Sequence, residues 1–428
     1  MVGRLLRTRR WLLVAPALFV FWLVSTIDKT HISLIIADRD FLEELKLVGH
    51  NPELGGLMTA FFLGYGISIF VWGFLVDRFG PRACAVGGTI CWGVFIYLSS
   101  RVSGIEEYLL IRFLLGAAEG NQWPVSIALT NRWFPVQEHS RVNAFWLGGS
   151  ISGTALGVPV VATLMLTSGW RGALALLGIL SLLPVVFLSF IRNWPREQKG
   201  VSPGELQEIE RGQKESPAFQ PMGLQEVLRS RPFWLITACQ VISATTVFTM
   251  IHWLPSFLTS LRHLSFARMG DLLFIGYLMA AVFTITVGYI ADRTMNPALT
   301  ASGVCLTFVF AVLAGALLLP STASALLLAT LVGVGSSSAA LQGSLMQTLV
   351  RPEAIARGTG IYVGIGTFAS GLGPTVFGFL INRLDGQYWG GFLFLALLNA
   401  AAAGCFFLLH RLSRKAIPAA LVTTPVGN

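Results

Sequence analysis

Charge is what this sequence has least of. Lys, Arg, Asp and Glu make up 12% of its 428 residues, against roughly 25% in an ordinary soluble domain, and that shortage excludes a water-soluble globular chain. Cysteine is scarce and odd in number. All five, Cys84, Cys91, Cys239, Cys305 and Cys405, fall in apolar runs, which argues against a disulfide framework. Neither H-E-x-x-H nor G-x-S-x-G occurs, and no soluble domain is appended, so no enzymatic chemistry, metal or cofactor is expected. Long polar stretches are also missing, with one exception at residues 192–231.

What the sequence has instead is apolar runs of about 20 residues, the length that crosses a hydrocarbon core roughly 30 Å thick. Twelve are expected, at 11–36, 55–76, 83–100, 106–131, 142–166, 170–191, 232–258, 270–290, 297–319, 322–349, 358–381 and 389–410. The basic start "MVGRLLRTRR" resembles a signal peptide. No small-residue cleavage site follows its apolar run, so it reads as a retained first span. With the N-terminus inside, 21 of the 30 basic residues fall in the tails and loops of that same side, which places both termini in the cytoplasm. The net charge of +9 then follows from topology and implies no nucleic-acid partner.

The polar exception divides the spans six and six, giving an N-terminal bundle over 1–191, a cytoplasmic linker over 192–231 and a C-terminal bundle with a short tail over 232–428. Within the linker, Ser202-Pro203-Gly204-Glu205 has the form of a capping box opening a short surface helix, read as a solvated connector. The halves echo each other, the trace of a two-fold repeat. "FLGY" (62–65) leads to "GFLVDR" (73–78), and "FIGY" (274–277) leads to "GYIADR" (288–293). A shift of 217 residues sets Gly116 on Gly333 and Gly149 on Gly366, but Arg112 on Ala329 and Glu119 on Ser336. Charges in one half have no counterpart in the other.

"GFLVDRFGPR" after the second span resembles the loop motif of the major facilitator superfamily, and "GYIADR" its second copy. "STIDKTHISL", "RFLLGAAEG", "NRWFPVQEHSR" and "WLPSFL" resemble the anion:cation symporter family, which includes bacterial sugar-acid and aromatic-acid importers. The resemblance covers the whole chain and implies an all-α membrane protein, with twelve transmembrane helices in two pseudo-symmetric six-helix bundles. Asp77, Arg78 and Arg82 end the second span and open the third, where they can pair with helix ends, carboxylates or headgroups as a reversible gate. Asp292 and Arg293 match them in the second half, where the second basic residue is missing. The alternative is that these are ordinary interfacial charges.

Two acids and two bases lie inside spans, and a charge at mid-bilayer costs about 2.5–3.5 kcal/mol on insertion scales. Asp28 and Lys29 sit in the first span, Arg112 and Glu119 in the fourth. Such residues usually face a water-filled path or one another, so an aqueous cavity in the N-terminal half is expected. The alternative is a structural ion cluster. Arg112 and Glu119 are two helical turns apart on one face and need not neutralise each other directly. The family resemblance implies that Asp28 and Glu119 carry protons, that Arg112 modulates them and that Lys29 holds the substrate anion. Arginine is usual at Lys29, and lysine supplies a point charge without a planar fork. His31 could relay protons but reads better as lying at the outer mouth of its helix, and His252 in the seventh span shares that ambiguity.

Further substrate contacts are expected among Tyr65, Gln122, Trp123, Ser150, Gln342 and Thr367, of which Tyr65 matches a substrate-contacting tyrosine of the family. At Ser150 and near Val363, where similar sugar-acid carriers have amides, none occurs, which favours a less hydroxylated, aromatic carboxylate. Glycines 149, 153 and 157, like "GTGIYVGIG" (358–366), form small-residue surfaces on which helices pack. The reading is a proton-coupled importer of a small organic anion, monomeric, in a bacterial inner membrane. Alternatives are a drug/proton antiporter, disfavoured because Gly157-Val158-Pro159 lacks an adjacent Gly-Pro pair, and a non-transporting sensor.

Overall fold

In the computed structural model the described residues are 8–135, 138–214, 229, 231–294, 296–349 and 355–421, and among them there is no strand. The solvent dictates this, because in hydrocarbon every backbone donor and acceptor must bond within its own segment. The spans are Arg10–Ile35, Asn51–Phe79, Pro81–Ser99, Ile105–Glu119 with Gln122–Trp133, His139–Leu180 with Leu183–Ser189 as spans five and six, Arg231–Leu261, Phe266–Thr294, Pro297–Leu317, Ser321–Leu349, Ile355–Ser370 with Leu372–Arg383, and Trp389–Leu421. Spans five and six run through a turn at Gly169, whose φ of 65° lies in the left-handed region that favours glycine.

Three spans expected as unbroken helices are interrupted, the eleventh of them at Gly371. The fourth leaves helical hydrogen bonding at Gly120 and Asn121, directly after Glu119. There Asn121 turns its side-chain amide to the Cys84 carbonyl of the third span, at 2.9 Å. The sixth breaks at Ser181 and Leu182, four residues after Leu177 and just before Pro184. A proline ring collides with the carbonyl four residues earlier, here Leu180, and Leu180 is where the helix ends.

The chain forms two compact units, Met1–Ala218 with Ser265–Phe274, and Phe219–Leu264 with Ile275–Asn428. In the first, the linker differs from the solvated connector expected of it. Its helix Pro203–Lys214 starts with the Glu205 N–H donating to Ser202 Oγ at 3.1 Å, as the capping pattern requires. It then buries Glu205 and Ile209. The Glu205 carboxylate accepts the backbone N–H groups of Arg9 and Arg10, both at 3.1 Å, and so caps the positive start of the first span. The Arg10 guanidinium is buried. It donates Nε and Nη2 to Glu138 at 3.0 and 3.1 Å, and Nη2 lies 3.1 Å from Glu208. The Trp11 indole N–H also donates to Glu138, at 2.9 Å.

The opposite end of this unit is tied by Arg171. It donates to Glu44 at 2.9 Å and to the carbonyls of Ser100 and Val102 at 2.7 and 2.9 Å, while the Trp170 indole donates to Glu44 at 2.9 Å. Glu44 belongs to the short helix Arg39–Glu44. One carboxylate and one guanidinium thus gather the ends of the first, third and sixth spans.

In the second unit, Trp253 of the seventh span donates to the Pro374 carbonyl at 2.9 Å, and Asn399 of the twelfth to Thr246 Oγ1 at 2.9 Å. Cys239, Cys305 and Cys405 pack in or against one apolar cluster with Phe233 and Phe406.

Arg10→Ala leaves Glu138 and Glu205 without their buried cation. Truncating one partner of a buried pair costs about 3 kcal/mol, so the detergent-purified variant should melt at a clearly lower temperature than the parent. Glu208→Gln, at a position whose side chain is 58% exposed, should melt with the parent.

Candidate functional site

Spans one, two, four and five meet at backbone distance. A Cβ at Gly116 of the fourth span would overlap the Phe61 carbonyl of the second, and one at Gly64 would overlap that of Phe113. Gly149, Gly153 and Gly157 of the fifth span lie against Phe19, Leu23 and Thr30 of the first, so this ladder is a packing surface. In "GTGIYVGIG" only Gly366 meets a neighbour among the described positions, Gln240, and Gly364 faces open space. Close approach lets short polar side chains reach between helices.

Lys29 is the centre. Its three ammonium protons have three acceptors: Ser25 Oγ at 2.7 Å, Gln122 Oε1 at 2.5 Å, and Glu119 Oε2 at 3.2 Å. Ser25 donates its own proton to Glu119 Oε2 at 2.9 Å. The ammonium also lies 5.0 Å from the Tyr65 ring centre and 5.8 Å from that of Trp22, within cation–π range. Glu119 is fully buried, whereas the Lys29 side chain keeps 14% exposure.

The other two charges stand apart from this pair. Asp28 is buried and accepts from Ser181 Oγ of the sixth span at 2.7 Å. Arg112 is fully buried and makes no ion pair among the described residues. It donates Nε to the Leu57 carbonyl at 3.1 Å, contacts Met58 Sδ through Nη2 at 3.6 Å, and lies over the Phe61 ring at 4.8 Å. Arg112 Nη1 and Glu119 Oε1 have no hydrogen-bond partner among the described residues. The four charges sum to zero, the condition that makes such a cluster tolerable in a low-dielectric interior. The expected open aqueous cavity is not what surrounds them: Asp28, Arg112 and Glu119 are closed inside the bundle, and only Lys29 reaches a surface. His31 and His252 are likewise fully buried, each four residues before the end of its helix.

Beside Lys29 stands a tryptophan group. Trp22 and Trp146 stack at 4.9 Å, and Trp123, half-buried, meets both edge-on at 5.1 and 5.4 Å. The indole N–H groups of Trp22 and Trp146 are taken by Ser126 and Asn143, and Ser150 Oγ by Thr26 at 3.0 Å. The first unit therefore brings together Lys29, Glu119, Tyr65, Gln122, Trp123 and Ser150.

In the second unit, Gln342 is buried and donates to Ser243 Oγ at 3.0 Å, leaving its Oε1 unpartnered, and Thr367 is half-buried. At the loops, Asp77 and Arg78 are exposed and form no ion pair among the described residues. Arg82 donates its backbone N–H to Asn193 Oδ1 at 3.0 Å and Nη2 to the Ser189 carbonyl at 2.8 Å. Arg293 lies over Tyr289 at 4.8 Å, and the Asp292 side chain lies outside the described residues.

Sequence reasoning missed Ser25, Trp22, Ser181 and the Arg10 cluster. Ser25 carried a signal, one turn before Lys29 on the same face. Ser181 carried another, being the one polar residue between Arg171 and Ser189, three positions before a proline.

Residues 12–374 match the family model of the Major Facilitator Superfamily. The chain is 26% identical over 406 residues to the probable L-galactonate transporter of Escherichia coli (strain K12), covering 92% of this chain and 88% of that one. It is 28% identical over 425 residues to the probable sulfoacetate transporter SauU of Cupriavidus necator, covering 94% of each. Among solved structures, a bacterial homolog of the human lysosomal transporter Spinster superposes with a TM-score of 0.76 at 16% identity, covering 94% of this chain and 97% of that one. At that identity the likeness concerns the fold alone.

The close approach of spans two and four allows a direct test. Gly116→Ala should overpack the contact, at a cost of about 1–3 kcal/mol, and lower the melting temperature. Gly73→Ala, on the second span with nothing near its added methyl, should leave it unchanged.

Proposed function

The chain belongs to the major facilitator superfamily, and on that premise we propose that it imports a small organic anion with protons by alternating access. It is a multi-pass membrane transporter and not an enzyme. Relatives named for L-galactonate, sulfoacetate, hexuronate, tartrate and galactarate/D-glucarate support an organic anion as cargo. The excess of basic residues on one side of the spans supports an orientation with both termini in the cytoplasm of a bacterial cell. All twelve spans lie in one chain, so a monomer suffices.

The observation that carries the reading is the Lys29–Glu119 pair. An anion arriving at Lys29 competes with the Glu119 carboxylate for the same ammonium, because the other two protons are held by Ser25 and Gln122. If Glu119 stays ionised, the site holds one negative charge too many in surroundings that penalise it. If Glu119 takes a proton, Lys29 is released to the anion and the total charge is unchanged. Proton and anion therefore bind together more favourably than either alone. Asp28 is a second proton carrier, and Arg112, held by Leu57 and Met58, offsets both carboxylates from a fixed position.

Tyr65, Gln122, Trp123 and Ser150 form the substrate wall of the first unit, and Gln342 and Thr367 contribute from the second. Asp77, Arg78, Arg82, Asp292 and Arg293 act at the loops as the gate.

Two expected outcomes follow in proteoliposomes, with L-galactonate, tartrate and sulfoacetate as probes. Glu119→Gln should abolish accumulation driven by an imposed pH gradient while retaining counterflow exchange, since an amide keeps the side chain's size but carries no proton. Accumulation at the parental level would remove Glu119 from the coupling. Lys29→Gln should weaken binding of the probe that the parent binds by roughly 1.5–3 kcal/mol for each charged hydrogen bond lost, read by calorimetry, whereas Lys29→Arg should bind comparably.

A further inference from the structure

Ser181 stands where two features coincide: the carboxylate of Asp28 and the break in the sixth span. Its hydroxyl oxygen lies 2.7 Å from Asp28 Oδ2 and 2.7 Å from the Leu177 carbonyl oxygen one turn back in its own helix. A serine has one proton to donate, so it cannot satisfy both acceptors at once. Leu177 O already accepts the Ser181 backbone N–H at 2.7 Å, at the last turn before the helix stops at Leu180. No other side chain between Arg171 and Ser189 can hydrogen-bond.

We propose that Ser181 is the positioning residue for Asp28, a hydroxyl whose direction of donation reverses with the protonation state of that carboxyl and reports it to the break in the sixth span. The inference rests on the reading of Asp28 as a proton carrier. When Asp28 is a carboxylate, the Ser181 O–H donates to Oδ2, a charge-assisted bond and therefore the stronger choice, and Leu177 O is left with its backbone donor alone. When Asp28 takes up a proton, the new O–H donates to Ser181 Oγ, and the Ser181 proton turns to Leu177 O. No bond within Ser181 breaks. The result is a continuous chain from Asp28 through Ser181 to the Leu177 carbonyl in which every donor has an acceptor.

The groups that set the field at Asp28 are Lys29 on its own span and Glu119 and Arg112 on the fourth. His31, Tyr65, Tyr108 and Cys84 are further titratable side chains buried in this bundle, and Arg10, Glu138 and Glu205 are buried together at one end of it. The sixth span adds no charge, only this hydroxyl. A serine back-bonded to its own helix also bends that helix, so reversal at Ser181 acts on a place already weakened by Pro184.

The test is infrared difference spectroscopy of the full chain in lipid, titrated with pH, reading the carbonyl stretch of protonated carboxyls. Asp28→Asn identifies the Asp28 band by its loss. In Ser181→Ala and Ser181→Cys that band should move to higher frequency, as a carboxylic acid does when its O–H loses a strong acceptor, and in Ser181→Thr it should return to the parental position. An Asp28 band unmoved in both Ser181→Ala and Ser181→Cys overturns the role of Ser181 and leaves proton uptake at Asp28 standing. If Asp28→Asn removes no band at any pH, Asp28 takes up no proton, and the proton-carrier reading falls together with this inference. Should Ser181→Ala fail to fold, Ser181→Cys, of nearly the same volume, decides the outcome.

Discussion

Everything in the first unit depends on one constraint: a charge removed from water must find its opposite within the protein. Lys29 meets that condition by serving Glu119 directly, with Ser25 and Gln122 as neutral acceptors. In the proposed function that ammonium is shared between a resident carboxylate and a visiting one, which would make binding and proton uptake two sides of the same compensation. Arg112 completes the balance at a distance. Its Nε and Nη2 are held by a backbone carbonyl and a thioether, which fix the charge in place.

The surrounding architecture makes that sharing possible. Short side chains such as Thr26 and Ser150 can bridge the first and fifth spans only if these nearly touch, and the glycines at 149 and 153 bring them to that distance, as those at 64 and 116 do for the second and fourth. The two interrupted spans of the first unit carry this further. Each break follows or faces a buried carboxylate, Glu119 in one case and Asp28 in the other, so broken helix and titratable side chain occur together. Elsewhere the first unit is firmly tied, by Arg10 at one end and Arg171 at the other.

Much of this was legible in the sequence. Hydropathy alone located the spans, since backbone in hydrocarbon has few alternatives to helix, and the cost of burying charge singled out Asp28, Lys29, Arg112 and Glu119. What was not legible has a common physical cause. The breaks at Gly120 and Ser181 lie inside apolar runs whose hydropathy does not register a change in backbone direction. The linker helix reads as solvated because its charges are numerous, yet Glu205 turns inward to a partner 195 positions away. Pairings of that kind depend on tertiary placement, and Arg10 looked like one more cation of the basic tail. The same holds for the closed interior: charges on two helices suggest a wet cavity, but whether water or protein fills the space is decided by packing.

The knot at Glu44 carries a further implication. In the proposed orientation it lies on the outer face, the side from which a proton-driven importer draws its protons and which is therefore the more acidic. The hydrogen bonds from Arg171, with that from Trp170, hold the Glu44 carboxyl below its ordinary range. A carboxylate shifted in that sense keeps its full stabilising contribution above its unfolded value and loses it only as the pH falls through the lower folded one. The clasp thus stays shut while the medium outside acidifies, and in the proposed function the groups that answer to protons are confined to the interior. A carrier fuelled by acid must keep its own outer fastening indifferent to the fuel.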